Sequence, residues 1–271
     1  MEMGAYCRHR SGVWFIRLLF LLTGCQAVES KQPAGIALSF DDRFIHEWYQ
    51  LRPIFKKYDA HVTFYITQFD SLTPVEIAQL KTLQQDGHEI GCHGAIHTNA
   101  VQYVRDHSVA DYINAEVYPA LRSMQSKGFR PTSFAFPGGA HTRETDQELL
   151  KHFVMLRDVA QIERTVWGIR LHGNVRLMPW IFYHFNGDCI TDALLFDEGA
   201  GLAPDDLRTA LHKAKDDQSV LLLFGHKPYA HRVEKGGYGF LAKRLELILL
   251  ASNRLNLKTY TMSELVRLSK P

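Results

Sequence analysis

Short apolar runs alternate with stretches of helical spacing along most of this 271-residue chain. Ile36, Ala37, Leu38 and Phe40 read as a strand buried on both faces. Strand-like segments recur at 62–66, 89–92, 133–136, 153–156 and 220–224. Between them Trp48, Leu51, Phe55 and Tyr58 predict one helix, and Ile77, Leu80 and Leu83 another. Strands alternating with helices predict an α/β fold on a parallel sheet. No Pro/Gly/Ser-rich linker, repeat or low-complexity tract divides the chain, so a single large domain is expected.

The first strand breaks off at Asp41 and Asp42, and carboxylates have no place at the end of a buried strand unless something pairs with them. Adjacent aspartates also occur at Asp205-Asp206 and Asp216-Asp217, where helical context makes them solvated residues. An aspartate after a strand can also simply cap the next helix. What separates Asp41-Asp42 from these is His93-Gly-Ala-Ile-His97, which follows a second strand-like segment. Imidazoles four apart on a helical turn point the same way. Both clusters are then expected at the C-terminal ends of the strands, where active sites of α/β barrels are built. One aspartate and two histidines suit Zn²⁺, Co²⁺, Ni²⁺ or Fe²⁺, and three protein ligands leave positions open, as in a catalytic site.

Four segments, SFDD at 39–42, HGAIH at 93–97, FAFPGG at 134–139 and LLLFGH at 221–226, occur in this order. On them the chain resembles the polysaccharide deacetylase superfamily (NodB-homology, carbohydrate esterase family 4), from Gly35 to Leu268. The resemblance implies a distorted (β/α) barrel of about seven parallel strands. It assigns one divalent metal, zinc first with Co, Ni or Fe as alternatives, to Asp42, His93 and His97. It also makes Asp41 the general base and His226 the general acid, and the Gly138 N–H could serve as half of an oxyanion site. The third segment departs from the family, with Ala135 in place of its arginine and without its tyrosine. Arg157 is the expected substitute, holding Asp41, with Asp158 raising the pKa of His226. Phe136 and Trp180 are the aromatic candidates for substrate contact, and Trp48 is expected in the core. The implied activity is hydrolytic removal of acetyl groups from N-acetylated sugar units of a glycan. The alternatives are a small-molecule amidase or O-acetyl esterase, and an inactive carbohydrate-binding lipoprotein.

The first residues read as a targeting segment. Arg8, Arg10 and Arg17 precede an apolar run at 18–22, far short of the ~20 residues of a membrane span. Residues 1–24 are expected to be a signal peptide. Leu22-Thr23-Gly24-Cys25 looks like a lipobox that makes Cys25 the lipidated first residue, and ordinary cleavage near Ala27 is the alternative. Residues 25–33 then form a tether and 34–271 the catalytic domain, extracytoplasmic and anchored to a bacterial membrane through lipid. Taking three arginines and one glutamate from 31 basic and 29 acidic residues leaves the charges balanced. That balance argues against nucleic acid as a partner. Cys92 and Cys189 are too few for a disulfide framework, and Cys92 reads as a small apolar strand residue.

Overall fold

The computed structural model describes residues 32–160, 163–166, 169–172, 179–234 and 237–269. The expected targeting segment and Cys25 lie outside them. Among the described residues no helix is long and apolar enough to cross a membrane.

Seven parallel strands close into a barrel: β1 (Gly35–Asp42), β2 (Thr63–Ile66), β3 (Glu89–Cys92), β4 (Ser133–Ala135), β5 (Met155–Ala160), β6 (Ile190–Leu195) and β7 (Val220–Gly225). Closure runs through β1 and β7, with Gly35–Phe40 in register with Val220–Gly225. The distortion has a definite form. At the start of β1, Gly35–Ala37 pair with a short eighth strand, β8 (Lys258–Tyr260), and only from Ser39 onward does β2 take over. The β6–β7 seam is filled in the same way at its start by Phe182–Tyr183, antiparallel to Val220 and Leu221.

Period-two alternation sorts the side chains into two cores. Ile36, Leu38 and Phe40 of β1 face outward and pack with Trp48, Phe55, Phe64 and Leu245 under the helices. Ala37, Tyr65, Ala135, Met155, Ala193, Leu222 and Phe224 fill the barrel interior, joined by Met262, Leu265 and Val266. The last three belong to the C-terminal helix Met262–Leu268, which plugs the N-terminal mouth. Glu89 there accepts hydrogen bonds from Thr63 Oγ1 (3.0 Å), Ser133 Oγ (2.7 Å) and the Ser263 amide (3.0 Å). One end of the barrel is therefore sealed, and the opposite mouth is left for chemistry.

Three expectations about elements need correction. The single helix through Trp48 and Tyr58 is two, Ile45–Gln50 and Arg52–Lys57, divided at Leu51 with Pro53 opening the second. The strand expected at 153–156 runs from Met155 to Ala160, so Arg157 and Asp158 lie inside it rather than after it. Strand β6, whose Ala193 and Leu194 face the two different cores, was not anticipated, nor was β8.

Candidate metal centre and active site

Asp41 and Asp42 end β1 at the open mouth. Successive strand residues point to opposite faces, yet both carboxylates reach the interior, because Asp42 leaves the strand with φ +88°. A non-glycine residue there is strained, and such strain clusters at functional sites. Asp42 Oδ1 lies 3.3 Å from His97 Nε2 and 3.7 Å from His93 Nε2, and the two Nε2 atoms are 3.2 Å apart. One ligand atom from each residue falls within a 4.8 Å cluster. The histidines do not share a helical turn as expected. Residues 93–99 are irregular, and His97 is brought round by its own left-handed backbone, φ +59°.

The donor set fits a divalent cation. His93 Nδ1 is 2.8 Å from the Ala135 carbonyl, which fixes the proton on Nδ1 and leaves the Nε2 lone pair facing the cluster. Burial pushes the His93 pKa down to about 4 against the pull of Asp41 and Asp42, so the ring is neutral as a ligand must be. Burial also opposes ionisation of Asp42, but the His97 hydrogen bond, His93 and the Tyr238 hydrogen bond outweigh it, and its carboxyl stays well below the usual range. The Asp42 hydrogen bond raises the His97 pKa. Tyr238 Oη donates to Asp42 Oδ2 at 2.6 Å, leaving Oδ1 for the cluster.

Asp41 is 3% exposed. Its Oδ2 accepts from Arg157 Nη2, and Oδ2 lies 4.0 Å from His93 Nε2. Its Oδ1 has no hydrogen-bond partner among the described residues. The Arg157 guanidinium is fully buried over the Phe224 ring, 4.6 Å from its centroid, and 5.4 Å from that of Tyr65. Arg157 thus meets Asp41 from the middle of β5, next to Ala135 in register.

Asp158 does not face His226. As the next residue in the same strand it points the other way, and its Oδ2 is 2.9 Å from His141 Nε2. His141 Nδ1 is 2.7 Å from Asp146 Oδ1, and the two carboxylates raise the His141 pKa to about 10. His226 is held by Asp197 instead, through its amide to Oδ1 (3.1 Å) and through Nδ1 to Oδ2 (2.6 Å). Burial lowers its basicity, but the Asp197 hydrogen bond and the charges of Asp41, Asp197 and Asp42 overcome this, and the net shift is upward. Trp48, in the core as expected, also fixes this segment, its Nε1 donating to the His226 carbonyl at 2.8 Å.

Phe136 is fully buried, stacked on His141 with centroids 4.8 Å apart, and offers no face to a substrate. Gly138 sits on the turn Pro137–Gly139 after β4, beside Asn99. Gly139 must be glycine, with φ +63° and a Cβ position that Val159 already occupies. Trp180 is 39% exposed on the turn Pro179–Ile181. Asp197, Tyr238 and Glu116, which binds the 94–98 loop, were not singled out from sequence. Asp197 carried a visible signal: Ala193-Leu-Leu-Phe-Asp197 ends an apolar run in a carboxylate, as Ala37-Leu-Ser-Phe-Asp41 does. Cys92 is buried and free, so it forms no bridge with Cys189.

A closed seven-stranded (β/α) barrel thus carries an Asp-His-His cluster at its C-terminal mouth. The polysaccharide deacetylase family model matches residues 29–154, a little under half of the chain, and over that segment the chain is similar to that family. The matched segment ends before Arg157, Asp197 and His226, which enter through geometry. Among solved structures, the D285S mutant of peptidoglycan deacetylase PdaC from Bacillus subtilis is 18% identical, with 87% of this chain and 91% of that one covered and a TM-score of 0.54. Chitin deacetylase from Colletotrichum lindemuthianum is 14% identical, covering 87% and 88%, with a TM-score of 0.51. BA3943 from Bacillus anthracis, a carbohydrate esterase family 4 pseudoenzyme, is 12% identical over 87% and 66%, with a TM-score of 0.53. These likenesses bear on the fold. Comparison with curated proteins finds no match.

Proposed function

We propose that this protein is a metal-dependent hydrolase that removes acetyl groups from N-acetylated sugar units of a glycan, working outside the cytoplasm on a lipid anchor at Cys25. The observation that carries the reading is Asp41: a buried carboxylate with one oxygen clamped by Arg157 and the other unpartnered beside the Asp42-His93-His97 cluster. An unsatisfied buried carboxylate oxygen is costly and belongs to a site that uses it. A module that only bound sugar would need neither this base nor the His226–Asp197 pair.

Asp42, His93 and His97 would hold the cation, which supplies Lewis acidity and makes water more acidic. Asp41 Oδ1 takes the proton from the attacking water, and Arg157 keeps the carboxylate turned toward it. The Gly138 N–H donates to the oxygen of the acetyl carbonyl as charge builds there. His226 Nε2–H, with Nδ1 committed to Asp197, passes a proton to the departing amine. Tyr238, 52% exposed with its ring 4.8 Å from that of His226, offers the apolar face on which a sugar ring stacks.

The test is acetate release from an N-acetylglucosamine oligomer by protein loaded in turn with Zn²⁺, Co²⁺, Ni²⁺ and Fe²⁺. Cleavage of the amide supports the proposal. Cleavage of acetyl esters alone would replace it with the esterase alternative, and sugar binding without either reaction would make the chain a binding protein.

A further inference from the structure

The loop that carries His97 is built around a carboxylate outside the reaction path. Glu116 is fully buried, on a π-helical turn (Ile113–Val117) that interrupts the helical stretch between Val109 and Ser126. A π turn rotates the residues it contains relative to the flanking α turns and is frequent at functional sites. Glu116 Oε2 accepts the amide of Ile96 and Oε1 the amide of Thr98, each at 3.1 Å, so its two oxygens bracket His97. The Glu116 carbonyl takes the Ala95 amide at 2.8 Å. Gly94 has φ +83°, and a Cβ there would run into the Glu116 carboxylate. The Gly94 carbonyl is itself fixed by the Thr67 hydroxyl and the Gln68 amide, both at 3.2 Å.

A left-handed histidine in an irregular loop has no secondary structure to hold it, and His97 is the most exposed of the three candidate ligands. Its ring position is set by the backbone on either side. The amides of the residues before and after it are both tied to one rigid, buried group. We propose that Glu116 is the positioning residue of the metal centre, fixing His97 in its ligating geometry through the amides of Ile96 and Thr98. This inference rests on the reading of Asp42, His93 and His97 as ligands. Glu116 does not touch the cation site. It acts on affinity as partners that orient ligands do, where substitution costs about 10- to 100-fold.

The experiment titrates Co²⁺ alone into the metal-free full chain and reads the visible ligand-field absorption. Glu116→Gln presents an N–H₂ to one of the two amides it should accept, so one bracket is lost. The expected result is Co²⁺ binding about ten-fold weaker or worse, with an altered spectrum. In a His97→Ala background, adding Glu116→Gln should change affinity by less than about two-fold, since the route through His97 is already gone. Should Glu116→Gln fail to fold, Glu116→Asp carries the test, its carboxylate drawn back by one methylene from both amides. A folded variant that binds Co²⁺ like the wild type, or one that loses affinity equally in the His97→Ala background, would overturn the proposal. A wild-type protein that takes up no Co²⁺ would instead overturn the metal centre, and the role of Glu116 with it.

Discussion

Replacing Asp197 by asparagine removes the charge behind His226 and leaves the shape of the side chain nearly unchanged. Asp197 is 3% exposed and accepts two hydrogen bonds from His226, from Nδ1 at 2.6 Å and the amide at 3.1 Å. Burial pulls the His226 pKa down, and the Asp197 hydrogen bond leads the interactions that turn the net shift upward. A hydrogen bond to a charged partner is worth about 1.5–3 kcal/mol against about 0.5–1.5 for a neutral one. The difference, about 1–1.5 kcal/mol, is about one pKa unit. An acid must be protonated to act, so a raised pKa extends activity toward alkaline pH. In Asp197→Asn the alkaline limb of kcat/KM for acetate release should move down by about one unit, costing about ten-fold on that flank and little at low pH. The acid limb should stay. The assay is the pH profile of kcat/KM for both proteins with the same metal content. An alkaline limb that does not move would mean that His226 is not the acid.

Arg157→Ala leaves Asp41 buried without its partner, and breaking a buried pair costs roughly 3–5 kcal/mol, so urea unfolding should show a loss of that order together with reduced kcat and retained metal. A small loss would remove Arg157 from the account of how Asp41 is oriented. His141 makes a different prediction. Its pKa rises from 6.5 to about 10 on folding, so its contribution to stability is complete below pH 6.5 and lost as pH rises through about 10. Wild-type stability should therefore fall more steeply over that window than that of His141→Gln, and parallel thermal-melt curves against pH would contradict the Asp146-His141-Asp158 cluster.

The parts of the site visible in the sequence were those in which the chain order itself carries the chemistry. Asp41-Asp42 and His93-His97 each follow an apolar run, and a parallel barrel brings such strand ends to one mouth. The cause of the histidines' convergence was not legible, because it lies in a left-handed His97 and in Glu116, 19 residues further along the chain. Arg157 and Asp158 show how a boundary decides a role. Placed after the strand, both could face the site; placed within it, only one can, and Asp158 turns to His141. Asp197 was legible in the apolar run at 193–196 that it ends, but Thr191 and Asp192 cut that run short of the continuous apolar stretch a buried strand shows, so β6 was passed over. Tyr238 reaches Asp42 from a loop 196 residues away, a contact no local pattern encodes.

Asp41→Asn in the metal-loaded protein tests whether Asp41 is the base, with metal content and acetate release from an N-acetylglucosamine oligomer measured on the same sample. Asparagine keeps the volume and removes the base, while Asp42, His93 and His97 are untouched. Full metal content with acetate release lost is the expected result. Acetate release at the wild-type rate would contradict it, because the buried, half-satisfied carboxylate would then have no part in the reaction.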